Sequence, residues 1–156
     1  MRETGLFLVK PDGLLLGEDR EAISRIKDGG LEITRQAPVT FTPDTVREFY
    51  TEKQDELSQY WVGYLVYRVS MALVVVGEDA CQKLAEIKRD IRHEFQHDGF
   101  YTGTHSSDTA EDAEREMRII FKSQKEGRRE GYSKSFNQMM GNPIKQLDKL
   151  KLRKKD

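Results

Sequence analysis

The run SMALVVVG, Ser70 to Gly77, constrains this chain more than any other stretch. It is apolar almost throughout, rich in β-branched residues and closed by glycine, which predicts a central strand. A second run, GLFLVK (Gly5 to Lys10), stops at the turn chemistry of Pro11-Asp12-Gly13 and reads as another buried strand. A fold organised around a sheet is therefore expected, and the remaining segments must supply its edges and its cover.

Between these runs, Asp19 to Lys27 carries Ala22, Ile23 and Ile26 at helical spacing, and Gly29-Gly30 supplies a stop. Leu31 to Phe41 reads as a strand in which Pro38 marks an edge, bulge or bend. Thr42-Pro43-Asp44 opens a helix through about Glu52, because threonine caps and proline is tolerated at the first helical position. Glu56 to Arg68 reads as a further helix, aromatic-rich with Tyr60, Trp61, Tyr64 and Tyr67. After the central run, Glu78 to about Asp90 is expected to be helical with Cys81, Leu84 and Ile87 inward, and Phe100 to Thr104 to form a fourth strand. The order β-α-β-α-α-β-α-β-α matches an α+β, ferredoxin-like split βαβ sandwich with an extra helical pair: one four-stranded antiparallel sheet with helices packed on a face.

A chain of 156 residues with 37% hydrophobic and 34% charged content suits one domain with one core. The single cysteine, Cys81, leaves no internal disulfide and no thiolate zinc cluster, in keeping with a cytoplasmic, reducing setting. No apolar run approaches the ~20 residues of a membrane span, and Met1-Arg2-Glu3-Thr4 enters a strand pattern without a signal-type apolar region. The chain is expected to be used whole. Its net charge of −1 conceals an asymmetry, since residues 122–156 hold 11 Lys/Arg against 4 Asp/Glu. Such a basic extension either binds polyanions, nucleic acid included, or lies against the acidic body. Glycines 127, 131 and 141 and Pro143 interrupt it, with a short helix expected from Pro143 to Leu152.

The chemistry concentrates in FYTGTHSSDTAEDAEREM, Phe100 to Met117. In the helix after Asp108, Ala110, Ala113, Met117 and Ile120 form an apolar stripe, with Glu111, Glu114, Arg115 and Arg118 on the other side. Glu116 breaks the division: three residues after Ala113 and four before Ile120, it falls on the inward face beside the strand end. A carboxylate there is costly unless it accepts a strong hydrogen bond, and His105 is the obvious donor. An imidazole held through one nitrogen presents the other as an aimed nucleophile or base. The same residues also fit a histidine paired for stability alone, with Ser-Ser-Asp-Thr capping the helix and Asp108 and Glu111 as a capping box. Ser106 and Ser107 add hydroxyls. Lys10 at a strand end is either a solvated charge or a phosphate contact. Arg92, placed between the third helix and the fourth strand, offers a fork of donors suited to anionic oxygens, and Lys88 or Arg89 can join it. His93 and His97 flank Glu94 and Asp98 in a polar stretch that reads as a solvated turn or a metal site.

LFLVKPDG, the REFY before an aromatic helix, Ile91-Arg92 followed by an acidic residue and Phe95, and HSSDTAEDAEREM resemble nucleoside diphosphate kinases in order and spacing, from Gly5 to about Phe121. The resemblance implies a kinase-like domain over residues 1–121 and a basic C-terminal extension over 122–156. It implies transfer of the γ-phosphate of ATP or another nucleoside triphosphate to a nucleoside diphosphate, by a ping-pong mechanism through phosphohistidine. It makes His105 the nucleophile, Glu116 its orienting carboxylate and Ser107 the hydroxyl supporting both. It makes Lys10 and Arg92 phosphate or ribose contacts, Tyr50 a wall near the phosphates and Tyr60 the platform for the base, with Mg2+ held by the nucleotide phosphates and no metal held by protein side chains. A homo-oligomer is also implied.

The departures are specific. Thr102 stands where the family has a ribose-contacting asparagine, and Phe100-Tyr101 replaces Gly-Arg. Ser70-Met71-Ala72 replaces Ser-Gly-Pro, and Glu86 to Ile91 runs almost directly into Arg92 where the family has a longer phosphate-contacting loop that serves subunit packing; Arg89 is the candidate replacement for its arginine. The alternative reading is a nucleotide-binding or partner-binding module of the same fold with little or no turnover.

Overall fold

The computed structural model describes residues 1–50, 63–97 and 101–129, with side chains through 122. In chain order the named elements are β1 (Arg2–Val9), α1 (Pro11–Leu15), α2 (Glu18–Asp28), β2 (Glu32–Thr40), α3 (Pro43–Phe49), β3 (Val69–Glu78), α4 (Ala80–Glu94), β4 (Thr104–Ser106) and α5 (Ala110–Arg129). The two apolar runs become the two middle strands of a four-stranded sheet ordered β2-β3-β1-β4. All three pairings are antiparallel, and β1 matches β3 from Arg2↔Glu78 to Val9↔Met71.

Side chains alternate across a strand, so consecutive apolar residues in β1 bury opposite faces. Leu6 and Leu8 join one core with Phe41, Phe49, Ala113 and Ile120, under α3 and α5, while Phe7 and Val9 join another with Leu14, Ile26, Leu84 and Ile91, under α1, α2 and α4. Each of these four strand residues is 0% exposed, a burial that contributes about 1.5–3 kcal/mol apiece. The expected four-stranded antiparallel sheet with helices packed on it is present, and the helices cover both faces, which is why the runs are continuously apolar rather than alternating.

Local chemistry sets the boundaries. Pro38 lies in β2, an edge strand, where its missing N–H costs least and the register is regular; the strand's bulge falls earlier, between Ile33 and Arg35. Thr42 and Thr45 form a reciprocal capping box at α3, with proline in its first turn. That helix ends at Phe49 rather than near Glu52, because Tyr50 leaves helical geometry at φ −110°, ψ 62°. The helix expected over Glu56 to Arg68 is described only from Gly63, and it stops by Leu65, where Val66 bridges Phe41 in parallel. Helix α1 was not expected; Pro11 at its start and Asp12 in its first turn are the sequence signals for it.

Two boundaries near the functional stretch differ from expectation. Strand β4 is Thr104–Ser106, not Phe100–Thr104, because its partners on β1 are Val9, Leu8 and Phe7, and Gly103 at φ 74° breaks extended geometry just before it. His105 therefore sits within the strand. The cap of α5 is Thr109, whose hydroxyl accepts from the Asp112 N–H at 3.1 Å, so the Asp108–Glu111 box does not form. The helix continues past Phe121 to Arg129; the helix expected over Pro143 to Leu152 lies outside the described residues. Among the described residues no helix is long and apolar enough to cross a membrane.

Candidate active site

His105 pairs with Leu8 across the sheet, so its ring emerges on the α3–α5 face. It packs against Phe49 at 5.0 Å and Tyr50 at 5.6 Å between ring centroids. Glu116 projects from α5 toward it, as the helical phase predicts, and His105 Nε2 lies 2.9 Å from Oε1 and 2.8 Å from Oε2. The carboxylate side chain is 3% exposed and the imidazole 23%, so the acid is sealed while the ring retains an open edge. A carboxylate only accepts, so Nε2 carries the proton and the lone pair of the neutral ring stands at Nδ1.

A second cluster is organised by a tight turn at Gly103. Thr102 O accepts from Thr104 N at 2.8 Å, Gly103 O accepts from Lys10 N at 2.8 Å, and Gly103 N donates to Asp12 Oδ2 at 2.8 Å. Through this turn Lys10, buried at the end of β1, donates its Nζ to the Thr102 hydroxyl. Arg92 donates to Thr104 O at 2.6 Å and reaches the Thr102 hydroxyl at 3.4 Å. Its Nε is buried without a hydrogen-bond partner among the described residues. Arg92 lies in the last turn of α4, a correction to its expected place in a connecting segment. The helix persists because Ile91 is still buried in the core.

Burial pulls the Arg92 guanidinium below its ordinary pKa, and burial followed by the Arg92 charge does the same to the Lys88 ammonium. Two half-buried cations held below their ordinary pKa by burial gain from an anion beside them. Burial, followed by the Glu116 charge, pushes the Tyr50 phenol far above its ordinary value, so Tyr50 stays neutral beside the ring.

The structure thus joins Lys10, Thr102 and Arg92 in one network and His105 and Glu116 in a pair, linked where Arg92 grips the carbonyl of the residue before His105. Ser107 is not joined to the pair. Its hydroxyl accepts from Leu6 N at 3.0 Å and lies 3.9 Å from Cys81 Sγ, so it extends the β4–β1 ladder beyond Ser106, correcting its expected support of His105 and Glu116. Arg89 is exposed and belongs to none of the described hydrogen bonds of the site. Tyr60 lies outside the described residues. Among the described residues no three His, Cys, Asp or Glu side chains are placed to hold a metal.

Sequence reasoning missed one feature. His97 is not in a solvated turn: its side chain is 7% exposed and its Nε2 meets Glu18, itself 0% exposed. Glu18 and His97 are 79 positions apart, and no local pattern connects them.

Gly103 gives a direct test of the turn. A Cβ there would lie 2.5 Å from Glu18 Oε2 and 2.6 Å from His97 Nε2, whereas Gly17, also left-handed at φ 78°, has open space. Gly17→Ala is expected to cost about 1 kcal/mol from backbone strain alone, and Gly103→Ala about 3 kcal/mol because overpacking adds to strain. Urea denaturation measures both; equal losses would show that the turn is not packed against this pair.

The site is thus a half-open imidazole held against a buried carboxylate, beside clustered cations, in a ferredoxin-like α+β domain. The chain belongs to the nucleoside diphosphate kinase family, whose family profile matches residues 3–126. It is similar to the nucleoside diphosphate kinase of Methanosarcina barkeri, 31% identical over 131 residues that cover 77% of this chain and 88% of that one. The Halorhodospira halophila enzyme is 28% identical over 131 residues, covering 77% and 93% respectively. Among solved structures, that of the Aquifex aeolicus nucleoside diphosphate kinase matches with a TM-score of 0.68 at 27% identity, over 76% of this chain and 94% of that one.

Proposed function

We propose that the protein is a nucleoside diphosphate kinase that passes the γ-phosphoryl group of a nucleoside triphosphate to a nucleoside diphosphate by way of His105. The observation that carries this reading is the hydrogen bond of His105 Nε2 to a buried Glu116 while the ring keeps an open edge. The Nδ1 lone pair attacks the γ-phosphorus, the bond to the bridging oxygen breaks, and the diphosphate leaves with the electron pair. Glu116 stabilises the positive charge that then develops on the ring. A terminal oxygen of a second diphosphate attacks the same phosphorus, the P–N bond breaks, and neutral His105 returns.

Lys10 and Arg92 neutralise the transferring oxygens, and alignment supplies much of the remaining rate. The unpartnered Arg92 Nε is a donor suited to an anionic oxygen. Thr102 takes the place of the ribose contact, Tyr50 forms a wall beside the ring, and Tyr60 would carry the base. Magnesium enters as the magnesium–nucleotide substrate. The Lys10 and Arg92 cations and the Thr102 hydroxyl suit the phosphates that carry the ion. A cytoplasmic homo-oligomer suits this activity, with residues 1–121 as the catalytic domain.

Mixing the protein with ATP and GDP or dTDP tests the proposal. The expected outcome is stoichiometric exchange at ~10 to 1000 turnovers per second, with parallel double-reciprocal lines when both substrates vary. Nucleotide binding without exchange would reject turnover and leave a binding module.

A further inference from the structure

Glu18 and His97 take no part in that exchange, yet among the described ion pairs theirs is the most deeply buried. His97 Nδ1 lies 2.7 Å from the Tyr101 carbonyl, which only accepts, so Nδ1 carries a proton. Nε2 lies 2.5 Å from Glu18 Oε1, so a second proton must stand between these two atoms. Imidazolium with carboxylate and imidazole with carboxylic acid are the same proton count. Without that proton, a lone pair faces a carboxylate oxygen and the contact repels. The turn leaves no slack for this: the space in front of Gly103 Cα is filled by Glu18 Oε2 and His97 Nε2, and Oε2 has no hydrogen-bond partner among the described residues.

We propose that Glu18 and His97 are positioning residues whose shared proton holds the Tyr101–Thr104 turn at the height where Thr102 and Lys10 meet a nucleoside diphosphate. The inference rests on the nucleotide reading of Lys10 and Thr102. His97 grips the turn through Tyr101 O, Asp12 grips it through Gly103 N, and Thr102 on the same turn receives Lys10. Nucleotide affinity, rather than the phosphoryl step at His105, should then follow the proton on the pair.

The charges facing the pair are Asp12 and Lys10 at α1 and Arg92 on α4. Burial, the largest influence, raises the Glu18 carboxyl above its ordinary pKa; His97 and Lys10 oppose the rise and Asp12 adds to it. A raised pKa means that the contribution is complete at low pH and is lost as pH climbs through the raised value, above the ordinary carboxylate range. Affinity for a diphosphate should therefore weaken with rising pH.

The test is the calorimetric Kd of Mg–ADP between about pH 5 and 9, alongside the rate of His105 labelling by γ-labelled ATP, for the full chain. Wild type is expected to lose about tenfold in affinity across that range. In Glu18→Gln the amide N–H donates to Nε2 and there is no shared proton to lose, so the profile flattens; titration of ADP itself is common to both proteins and cancels. Glu18→Ala should weaken Kd about tenfold at every pH while the maximal labelling rate moves less than about threefold. If that variant does not fold, the comparison of wild type with Glu18→Gln decides alone. Superimposed profiles, or a fall in labelling rate at constant Kd, would overturn the inference while labelled His105 upheld the kinase reading. Absent labelling with a proton-dependent Kd would do the reverse. Absence of ADP binding would overturn both.

Discussion

Replacing His105 with asparagine is expected to lower ATP–GDP exchange by about 10⁴-fold or more, with acid-labile phosphate vanishing from the protein. The effect is this large because asparagine has no lone pair of imidazole basicity and nothing else in the network substitutes for it. Lys10 is a cation tied to Thr102, Ser107 is tied to Leu6 within the ladder, and Tyr50 is held neutral by burial. Asparagine still fits a half-open strand position, so the fold and the affinity for ADP should persist. Retention of more than about a hundredth of the exchange would mean that another nucleophile carries the phosphoryl group.

Glu116→Gln is expected to have the next largest effect, a fall in kcat of about 10²- to 10³-fold with KM for the diphosphate changed little. Glu116 contacts the ring and not the Lys10–Thr102–Arg92 network, so its charge acts when the ring becomes positive rather than when nucleotide binds. Glutamine preserves volume in a position that is 3% exposed, which limits the structural cost. It can also turn its amide N–H toward Nε2, leaving the proton on Nδ1 and blocking the lone pair. Steady-state kinetics with ATP and dTDP separate these quantities. A rise in KM at unchanged kcat would place Glu116 in binding and remove it from the chemistry.

The parts of this account that were legible in sequence are those in which one residue type contradicts its local pattern or completes it. Ser70 to Gly77 declared a buried strand because no polar position interrupts it, and Glu116 declared an inward carboxylate because it interrupts an apolar stripe. From these two features the four-stranded sheet and the pairing of His105 with Glu116 follow, and the structure has both. The termini of β4 were not legible. Phe100 and Tyr101 favour a strand by composition, but strand register is fixed by partners on β1, and Gly103 at φ 74° ends the pairing. With the helix expected to end at about Asp90, Arg92 falls in the connection after it, whereas the burial of Ile91 keeps the helix going to Glu94. The resemblance makes Ser107 a support of His105, yet Ser107 lies just past β4, where its hydroxyl turns to Leu6 N and Cys81 Sγ. The Glu18–His97 pair had no signal at all, since two polar residues far apart in sequence become a buried pair only through the packing of α2 beside the end of α4.

The most direct measurement is the position of the phosphate on the protein after reaction with ATP alone, read by nitrogen and phosphorus NMR of the intact phosphoprotein. Because Glu116 occupies Nε2, the account predicts a single phosphoryl group on Nδ1 of His105. Phosphate on Nε2 of that ring, or on any other side chain, would contradict it.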